Sequence, residues 1–298
     1  MAVRRSDLYL PANNEHMVLK APTLGADVIT LDMEDSVPPA EKAAAREMVK
    51  KYIGKMSANG AEAWVRINAW DTDLTLADLD AVVMEGLDGI TLPKCEGLAD
   101  VRRLDNEITR LEKLRGLPVG GIKMAILIET SLGVKKVEEC AGGSHRLVTI
   151  IFGAVDYTRD MKVTRTDEAA EQYYARAVIG SAARAYGLVA EDAPFPNYQD
   201  VEAFRANCLS GAQLGFEGRQ IINPKQIPVA HEVYSPAPER VEWARKITKV
   251  FEEEGLAKGS ASVGFEGKMI DIPVYRDGLN ILARQQEIEE KEAGKRKA

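Results

Sequence analysis

The sequence predicts an α/β fold, a (β/α)8 TIM barrel with a C-terminal helical lid extension. Eight short apolar runs recur along the chain, and segments with helical patterning separate them, as in consecutive βα units around a parallel sheet. The 298 residues suffice for one barrel, which typically takes about 250 residues, and for an extension. We therefore expect a catalytic barrel domain at 1–227 and a helical extension at 228–298.

The predicted strands are rich in β-branched and other apolar residues and are bounded by turn or helix signals. The helix after the second strand is expected to have Pro39 in its first turn, and the helix after the sixth to be capped by Thr166 or Asp167 and to end at Gly187. The strands cover 6–12, 27–34, 62–68, 89–94, 123–130, 147–156, 188–195 and 218–224.

The chain continues beyond the eighth run. A helix is expected at about 238–254, followed by a Gly/Ser-rich link at 254–267 and a segment that begins GKMID. A flexible link before a carboxylate predicts a mobile lid over the mouth of this barrel or of a neighbouring one. Residues 288–298 have mixed charge, which is typical of a frayed, solvated helix end.

The composition indicates a globular protein of the cytoplasm. Apolar residues make up 45% and charged residues 29%, and a net charge of -7 disfavours a nucleic-acid surface. No run approaches the roughly 18 apolar residues of a membrane span, and the N-terminus does not resemble a signal peptide. The three cysteines lack CxxC spacing, so neither a zinc site nor a disulfide framework is predicted.

Polar residues stand at the carboxyl ends of most predicted strands, and in a barrel these ends form one rim where ligand sites lie. Two of them, Glu129 and Asp156, follow neighbouring strands and could converge on a hard cation such as Mg2+ or Mn2+. An isolated carboxylate there could instead cap the next helix. The rim residues are Glu34, Asp35, Arg66, Asn68, Pro93, Lys94, Glu129, Asp156, Glu191 and Asp192.

Arg66 lies within the apolar strand VRIN, where an unpaired charge would cost several kcal/mol, so we expect it to face a carboxylate of the protein or of a substrate. Arg159 and Arg165 follow Asp156 and could cap a helix or order an acyl or phosphate group. The chain has no GxGxxG, GxxxxGK[ST], HExxH or GxSxG, which removes support for dinucleotide folds, P-loops, zincins and serine hydrolases.

A series of motifs resembles one known family. In order these are RSDLYLPAN, LDMEDSV, VRIN, LPK, IETSLG, FGAVDY, LGFEGRQIINPKQI and GKMIDIPV, from about Arg5 to Leu282. They look like the citrate lyase β-subunit-like acyl-CoA lyases of the HpcH/HpaI aldolase superfamily. The resemblance implies Mg2+-dependent retro-Claisen cleavage of a β-hydroxyacyl-CoA, such as citramalyl-, malyl- or citryl-CoA, to acetyl-CoA and an α-keto acid.

The resemblance also implies roles for particular residues. By motif, Glu129 and Asp156 match the metal ligands, with Glu129 also near the substrate, and Arg66 matches the substrate arginine that would stabilise an enolate. Asp271 of GKMID matches an acidic residue that some members receive from the adjacent subunit of a trimer to handle a proton. The remaining matched positions are Glu34 and Asp35, which would hold the substrate, metal-bound waters or Arg66, and Lys20 and Arg5, candidates for the phosphates of coenzyme A.

Several functions stay open within this resemblance. The chain could be a β subunit of a multi-subunit citrate lyase acting on a citryl-acyl-carrier-protein thioester, a malyl-CoA thioesterase, or a synthase. GAVDY replaces the Gly-Ala-Glu-Asp of citrate lyase subunits, whereas the DYTRDMKVTRT loop resembles them. A coenzyme-independent pyruvate aldolase would need a histidine near LDMEDSV, which has none, and a non-catalytic scaffold would not need the set of charged residues.

Overall fold

The computed structural model describes residues 2–166 and 168–295 and contains a closed barrel of eight parallel strands. Each strand pairs with the next in sequence, and β8 pairs with β1 to close the barrel. The predicted barrel fold and all eight predicted strands are therefore confirmed. The strands are β1 (Ser6–Pro11), β2 (Val28–Asp32), β3 (Glu62–Arg66), β4 (Gly89–Leu92), β5 (Lys123–Ile128), β6 (Leu147–Phe152), β7 (Val189–Asp192) and β8 (Gly218–Ile221).

The helices up to residue 233 surround the barrel and bury their apolar faces against the outer side of the sheet, and the last two belong to the extension. None of the helices among the described residues has the length and apolar composition needed to cross a bilayer. The helices are α1 (Glu15–Lys20), α2 (Lys42–Met56), α3 (Thr75–Val82), α4 (Leu98–Arg115), α5 (Ser131–Ala141), α6 (Ala154–Asp160), α7 (Tyr173–Ala185), α8 (Val201–Gln213), α9 (Ile227–Val233), α10 (Pro238–Val250) and α11 (Ile272–Lys295).

The boundaries of two predicted helices differ in detail. Pro39 begins a 3-10 turn that precedes α2. Helix α7 begins at Tyr173 after a similar turn, so Thr166 is not its N-cap. The backbone N–H and the hydroxyl of Thr166 instead donate hydrogen bonds to Glu171. Asp167, the other predicted cap, lies outside the described residues. Gly187 follows α7 with a φ of 69°, a left-handed conformation that glycine adopts without strain.

Side chains of β1 alternate between two environments. Leu8 and Leu10 join the core between strands and helices, whereas Asp7 and Tyr9 line the interior of the barrel. This alternation follows from the period of two in a strand. The lower part of the barrel interior is filled by a separate apolar layer of Val28, Trp64, Ala125, Leu127 and Ile151.

The extension after α9 is more ordered than the sequence predicted. The Gly/Ser-rich link contains an antiparallel hairpin of β9 (Ser262–Phe265) and β10 (Lys268–Asp271). Glu266 and Gly267 turn the chain with φ values of 47° and 75°, as two-residue hairpin turns require. Ile247, Phe251 and Ile270 form a small core under the hairpin, so the hairpin is packed against α10.

The end of α11 binds the amino-terminal end of the barrel, so the prediction of a frayed end is wrong for residues 288–295. Lys295 Nζ lies 2.6 Å from Asp27 Oδ1, and Glu292 pairs with Arg5. Arg5 also holds Asp27 through contacts of 2.8 and 3.0 Å. His231 completes this cluster, and burial lowers its pKa to about 4, so its ring is neutral at pH 7. Residues 296–298 lie outside the described residues.

Candidate active site

A cavity of about 500 Å³ opens at the carboxyl ends of the barrel strands. We call it the main cavity. Side chains from β1, β2, β3 and β8 and from the loops after β5, β6 and β7 line it, as the barrel fold predicts for a ligand site. Its polar lining is Tyr9, Asp32, Asp35, Ser36, Arg66, Glu129, Asp156, Arg159 and Gln220.

Glu129 and Asp156 line the same wall of the main cavity. Glu129 follows β5 directly, Asp156 lies in the first turn of α6 after β6, and both are buried. Glu129 Oε1 accepts a hydrogen bond of 2.8 Å from the backbone N–H of Lys94. Burial, followed by the charge of Asp156, raises the pKa of Glu129 to about 8. Two close, buried carboxylates repel each other, which a bound cation would relieve.

Gly153 leaves room for the Glu129 side chain. A β-carbon at position 153 would lie 2.8 Å from Glu129 Oε2. Asp156 has an ion pair with Arg159, whose side chain is 74% exposed and can move away at little cost. Oxygen-only carboxylate ligands suit a hard divalent cation, so the residues present fit Mg2+.

Arg66 faces a protein carboxylate, one of the two expected partners. Its Nε and Nη2 atoms each lie 2.7 Å from an oxygen of Asp32, and the pair is bidentate. Burial disfavours the charged guanidinium, but the attraction of Asp32 outweighs it, and the pKa of Arg66 lies well above the usual value. This pairing fixes the guanidinium in one orientation beside the ring of Tyr9, 5.3 Å from the ring centre.

Glu34 links Arg66 to Lys94. Its Oε2 lies 3.3 Å from Arg66 Nη1, and its Oε1 lies 3.0 Å from Lys94 Nζ. Lys94 has a φ of 50°, an uncommon conformation for a residue with a side chain, and this loop directs its backbone N–H at Glu129. Asp35 is exposed and lines the main cavity, where it can meet a ligand.

A second cavity of about 600 Å³ lies on the other side of Glu129 and Asp156. It shares Glu129, Asp156 and Arg159 with the main cavity, and Trp70 and Lys94 form part of its far wall. The two carboxylates thus stand between two openings, which leaves space for a ligand longer than a keto acid.

Arg5 does not belong to this site. It is buried in the ion-pair cluster at the amino-terminal end of the barrel, opposite the main cavity, so the predicted contact with coenzyme A phosphates does not fit its position. Lys20 is exposed and lines a small cavity of about 230 Å³, which shares Tyr9, Met17 and other residues with the main cavity. Lys20 therefore stays a candidate at the edge of the site.

Asp271 lies at the end of β10, on the hairpin of the extension. Its Oδ1 accepts a hydrogen bond of 3.1 Å from the backbone N–H of Val274, which is a helix-capping contact at the start of α11. Neither the main nor the second cavity includes Asp271. The site of its own chain therefore does not contain this residue.

Glu191 and Asp192 were expected on the rim, but the structure places them below it. Glu191 lies in the barrel interior beside Asp7, and burial raises the pKa of both carboxyls. Asp192 points to the outer side of the sheet, where Arg176 and Arg219 pair with it.

Sequence reasoning missed Asp32, Gly153, Tyr9 and Gln220. The signal for Tyr9 is the alternation along β1. Gln220 pairs with Asp7 in the register of β8 and β1 and, like Asp7, faces the barrel interior. The sequence shows only that Asp32 is a carboxylate on the strand before that of Arg66. The structure pairs the two residues directly in the register of β2 and β3.

Comparisons with known proteins identify relatives of this chain. Residues 5–224 match the family model described as HpcH/HpaI aldolase/citrate lyase. The citrate lyase subunit beta of Leuconostoc mesenteroides subsp. cremoris is 40% identical over 94% of this chain and 92% of its own length. The L-malyl-CoA/beta-methylmalyl-CoA lyase of Rhodobacter capsulatus is 32% identical over 96% of this chain and 95% of its own length.

A solved structure has a similar overall fold. The protein CitE from Mycobacterium tuberculosis in complex with magnesium, acetoacetate and coenzyme A superposes with a TM-score of 0.76 and 29% identity, over 96% of this chain and 98% of that one. The predicted family is therefore confirmed: this chain belongs to the HpcH/HpaI aldolase/citrate lyase family.

Proposed function

We propose that this chain is a Mg2+-dependent carbon–carbon lyase. It cleaves a β-hydroxyacyl-CoA, of the citramalyl, malyl or citryl type, to acetyl-CoA and an α-keto acid. The observation that carries the proposal is the shared cavity in which Arg66, held by Asp32, lies with the buried carboxylates of Glu129 and Asp156. Relatives named as citrate lyase and malyl-CoA lyase support the same class of reaction.

Glu129 and Asp156 would hold the Mg2+ ion. Bound there, Mg2+ would polarise the hydroxyl and carboxylate oxygens of the substrate half that becomes the keto acid. Arg66 acts on the other half. Cleavage breaks the carbon–carbon bond and leaves its electron pair on the acetyl thioester as an enolate, and the fixed guanidinium stabilises the enolate oxygen. Because Asp32 already orients Arg66, little reorganisation accompanies the reaction.

The substrate hydroxyl loses its proton as it becomes the keto carbonyl, and the enolate takes up a proton at carbon to become the acetyl thioester. We assign this proton transfer to Asp271 of an adjacent subunit in a homotrimer or a dimer of trimers. The supporting observation is that Asp271 lies outside the cavities of its own chain, on a hairpin whose far side is exposed at Met269. Light scattering of the purified protein tests the assembly, and an active monomer would contradict this part of the proposal.

A second candidate is the β subunit of a multi-subunit citrate lyase that acts on a carrier-protein thioester. The 40% identity to a citrate lyase subunit beta favours it. The purified chain with Mg2+ should be assayed against a panel of free CoA esters and against the citryl carrier-protein thioester. Release of acetyl-CoA and keto acid from a free ester supports the first candidate, activity on the carrier thioester alone supports the second, and release of free coenzyme A from malyl-CoA would indicate a thioesterase.

We also place the protein in the cytoplasm. The three cysteines, all free thiols, support a reducing compartment.

A further inference from the structure

Gln220 is a polar residue of the main cavity that has no task in the reaction described above. It lies on β8, is 5% exposed, and lines the main cavity. Within the described residues, its Nε2 atom is buried without a hydrogen-bond partner. A buried amide donor that no protein group satisfies is uncommon. Because Gln220 lines the main cavity, rotation of its terminal amide presents this N–H to a ligand there.

The position of Gln220 in the barrel determines which part of a ligand it can reach. Strand β8 is the neighbour of β1 and lies across the closed barrel from β4 and β5, the strands that lead to Lys94 and Glu129. Asp156 and Arg159 line the same cavity. Gln220 therefore lines the same cavity as the carboxylate pair but from a different strand, so one ligand can contact both.

We propose that Gln220 determines specificity by donating a hydrogen bond to a second polar group on the keto-acid half of the substrate. That group would be a carboxylate or hydroxyl on the substituent of the hydroxyl-bearing carbon. A substrate with hydrogen or methyl there would leave the amide unpaired. The inference rests on the proposed function and adds to it a preference for citryl-type over citramalyl- or malyl-type substrates.

The size of the preference follows from the chemistry of the contact. A hydrogen bond to a charged group differs from an unpaired buried donor by an amount equivalent to about 10- to 100-fold in binding. We expect kcat/KM for citryl-CoA to exceed that for citramalyl-CoA, because the two differ only in a carboxylate on this substituent.

The variant Gln220→Leu keeps the approximate shape and removes the donor. It should lower kcat/KM for citryl-CoA about 10- to 100-fold and leave that for citramalyl-CoA unchanged. Its melting temperature should stay the same or rise, since the variant removes an unpaired buried amide. Gln213→Leu makes the same change at an exposed position of α8 and should alter neither ester. Equal losses for both esters, or no loss for either, would overturn the inference.

A second measurement uses the unmodified chain with Mg2+ and therefore does not depend on folding of a variant. Calorimetry should show tighter binding of oxaloacetate than of 2-oxobutyrate, which has the same number of carbons and lacks the second carboxylate. Equal affinity for the two would overturn the role of Gln220 and leave the lyase proposal intact. Absence of binding by both, together with no cleavage of any thioester, would instead contradict the proposed function.

Discussion

The carboxylate of Glu129 occupies the space that a side chain at Gly153 would need. A β-carbon at Gly153 would lie 2.5 Å from Glu129 Cβ and 2.8 Å from its Oε2. The φ of Gly153 is -107°, which any residue can adopt, so the close approach alone requires glycine. A glycine after β6 thereby sets the position of the acidic residue after β5.

We expect Gly153→Ala to fold but to lose Mg2+ affinity and about 100-fold in kcat, because the added methyl group must displace the Glu129 carboxylate. Calorimetry with Mg2+ and a CoA-ester assay measure the two effects. Gly54→Ala is the matched control, since a β-carbon there would meet no atom of the described residues within 4 Å, in an exposed part of α2. Unchanged Mg2+ affinity in Gly153→Ala would show that the carboxylate does not bind the ion.

The affinity for Mg2+ should rise with pH. The pKa of Glu129 is raised to about 8 in the metal-free site, so below that pH the ion must displace a proton. Affinity should increase by up to about tenfold per pH unit below about pH 8 and level off above it. Calorimetric Kd values across this range measure the effect, and a Kd independent of pH would contradict the assignment.

The same raised pKa affects the stability of the metal-free protein with the opposite sign. The folded state holds the Glu129 proton more tightly than the unfolded state, so the free energy of unfolding should fall as pH rises from about 4.5 to about 8. Glu129→Gln should remove this contribution. Denaturant unfolding of both proteins in the presence of a chelator provides the measurement.

We expect Asp271→Asn to keep its melting temperature and oligomeric state while kcat falls at least about 100-fold. The asparagine side-chain oxygen can still accept the hydrogen bond from Val274, so the cap is retained. Asp277→Asn is the control, because Asp277 lies on the same helix and pairs only at the surface with Arg240. A wild-type rate in the folded, Mg2+-loaded Asp271→Asn variant would contradict the proton-transfer role and leave Asp271 as a helix cap.

Asp27→Ala should lower the free energy of unfolding by about 3–5 kcal/mol, because it leaves the buried Arg5 and the docked Lys295 without their shared partner. The turnover of the folded fraction should not change, since the cluster lies at the opposite end of the barrel from the main cavity. Lys50→Ala, which removes an exposed pair with Glu47, should cost less than about 1 kcal/mol. Similar losses in both variants in chemical denaturation would refute the buried anchoring role.

The barrel could be predicted from sequence because its signals are local. Each strand is a short apolar run, and the alternation with helices leaves few topologies. Arg66 could also be predicted to need an acidic partner, since a charge within an apolar strand is costly. Which carboxylate is the partner depends on the register of β2 and β3, which the sequence alone does not determine; in the structure it is Asp32.

The extension was harder to predict because its order comes from contacts over long distances. The residues at 288–295 have mixed charge and would fray in isolation, yet Glu292 and Lys295 find partners at Arg5 and Asp27, far away in sequence. The glycines and serines at 254–267 predict a flexible link, whereas the structure forms a hairpin that turns at Glu266 and Gly267. The sequence also puts Arg5 close to the LYLPAN turn. Because Arg5 precedes the first residue of β1, it lies at the amino-terminal end of the barrel, opposite the main cavity.

Helix α11 joins the hairpin that bears Asp271 to the cluster around Asp27, with its first turn at one and its last turn at the other. Its 24 residues span about 36 Å at 1.5 Å per residue. If a helix of that length moves as a rigid body, a tilt of about 10° at its anchored end displaces its other end by about 6 Å. In the proposed assembly, the ion pairs of Asp27 would therefore be the pivot of this helix and would limit how far the hairpin that bears Asp271 moves.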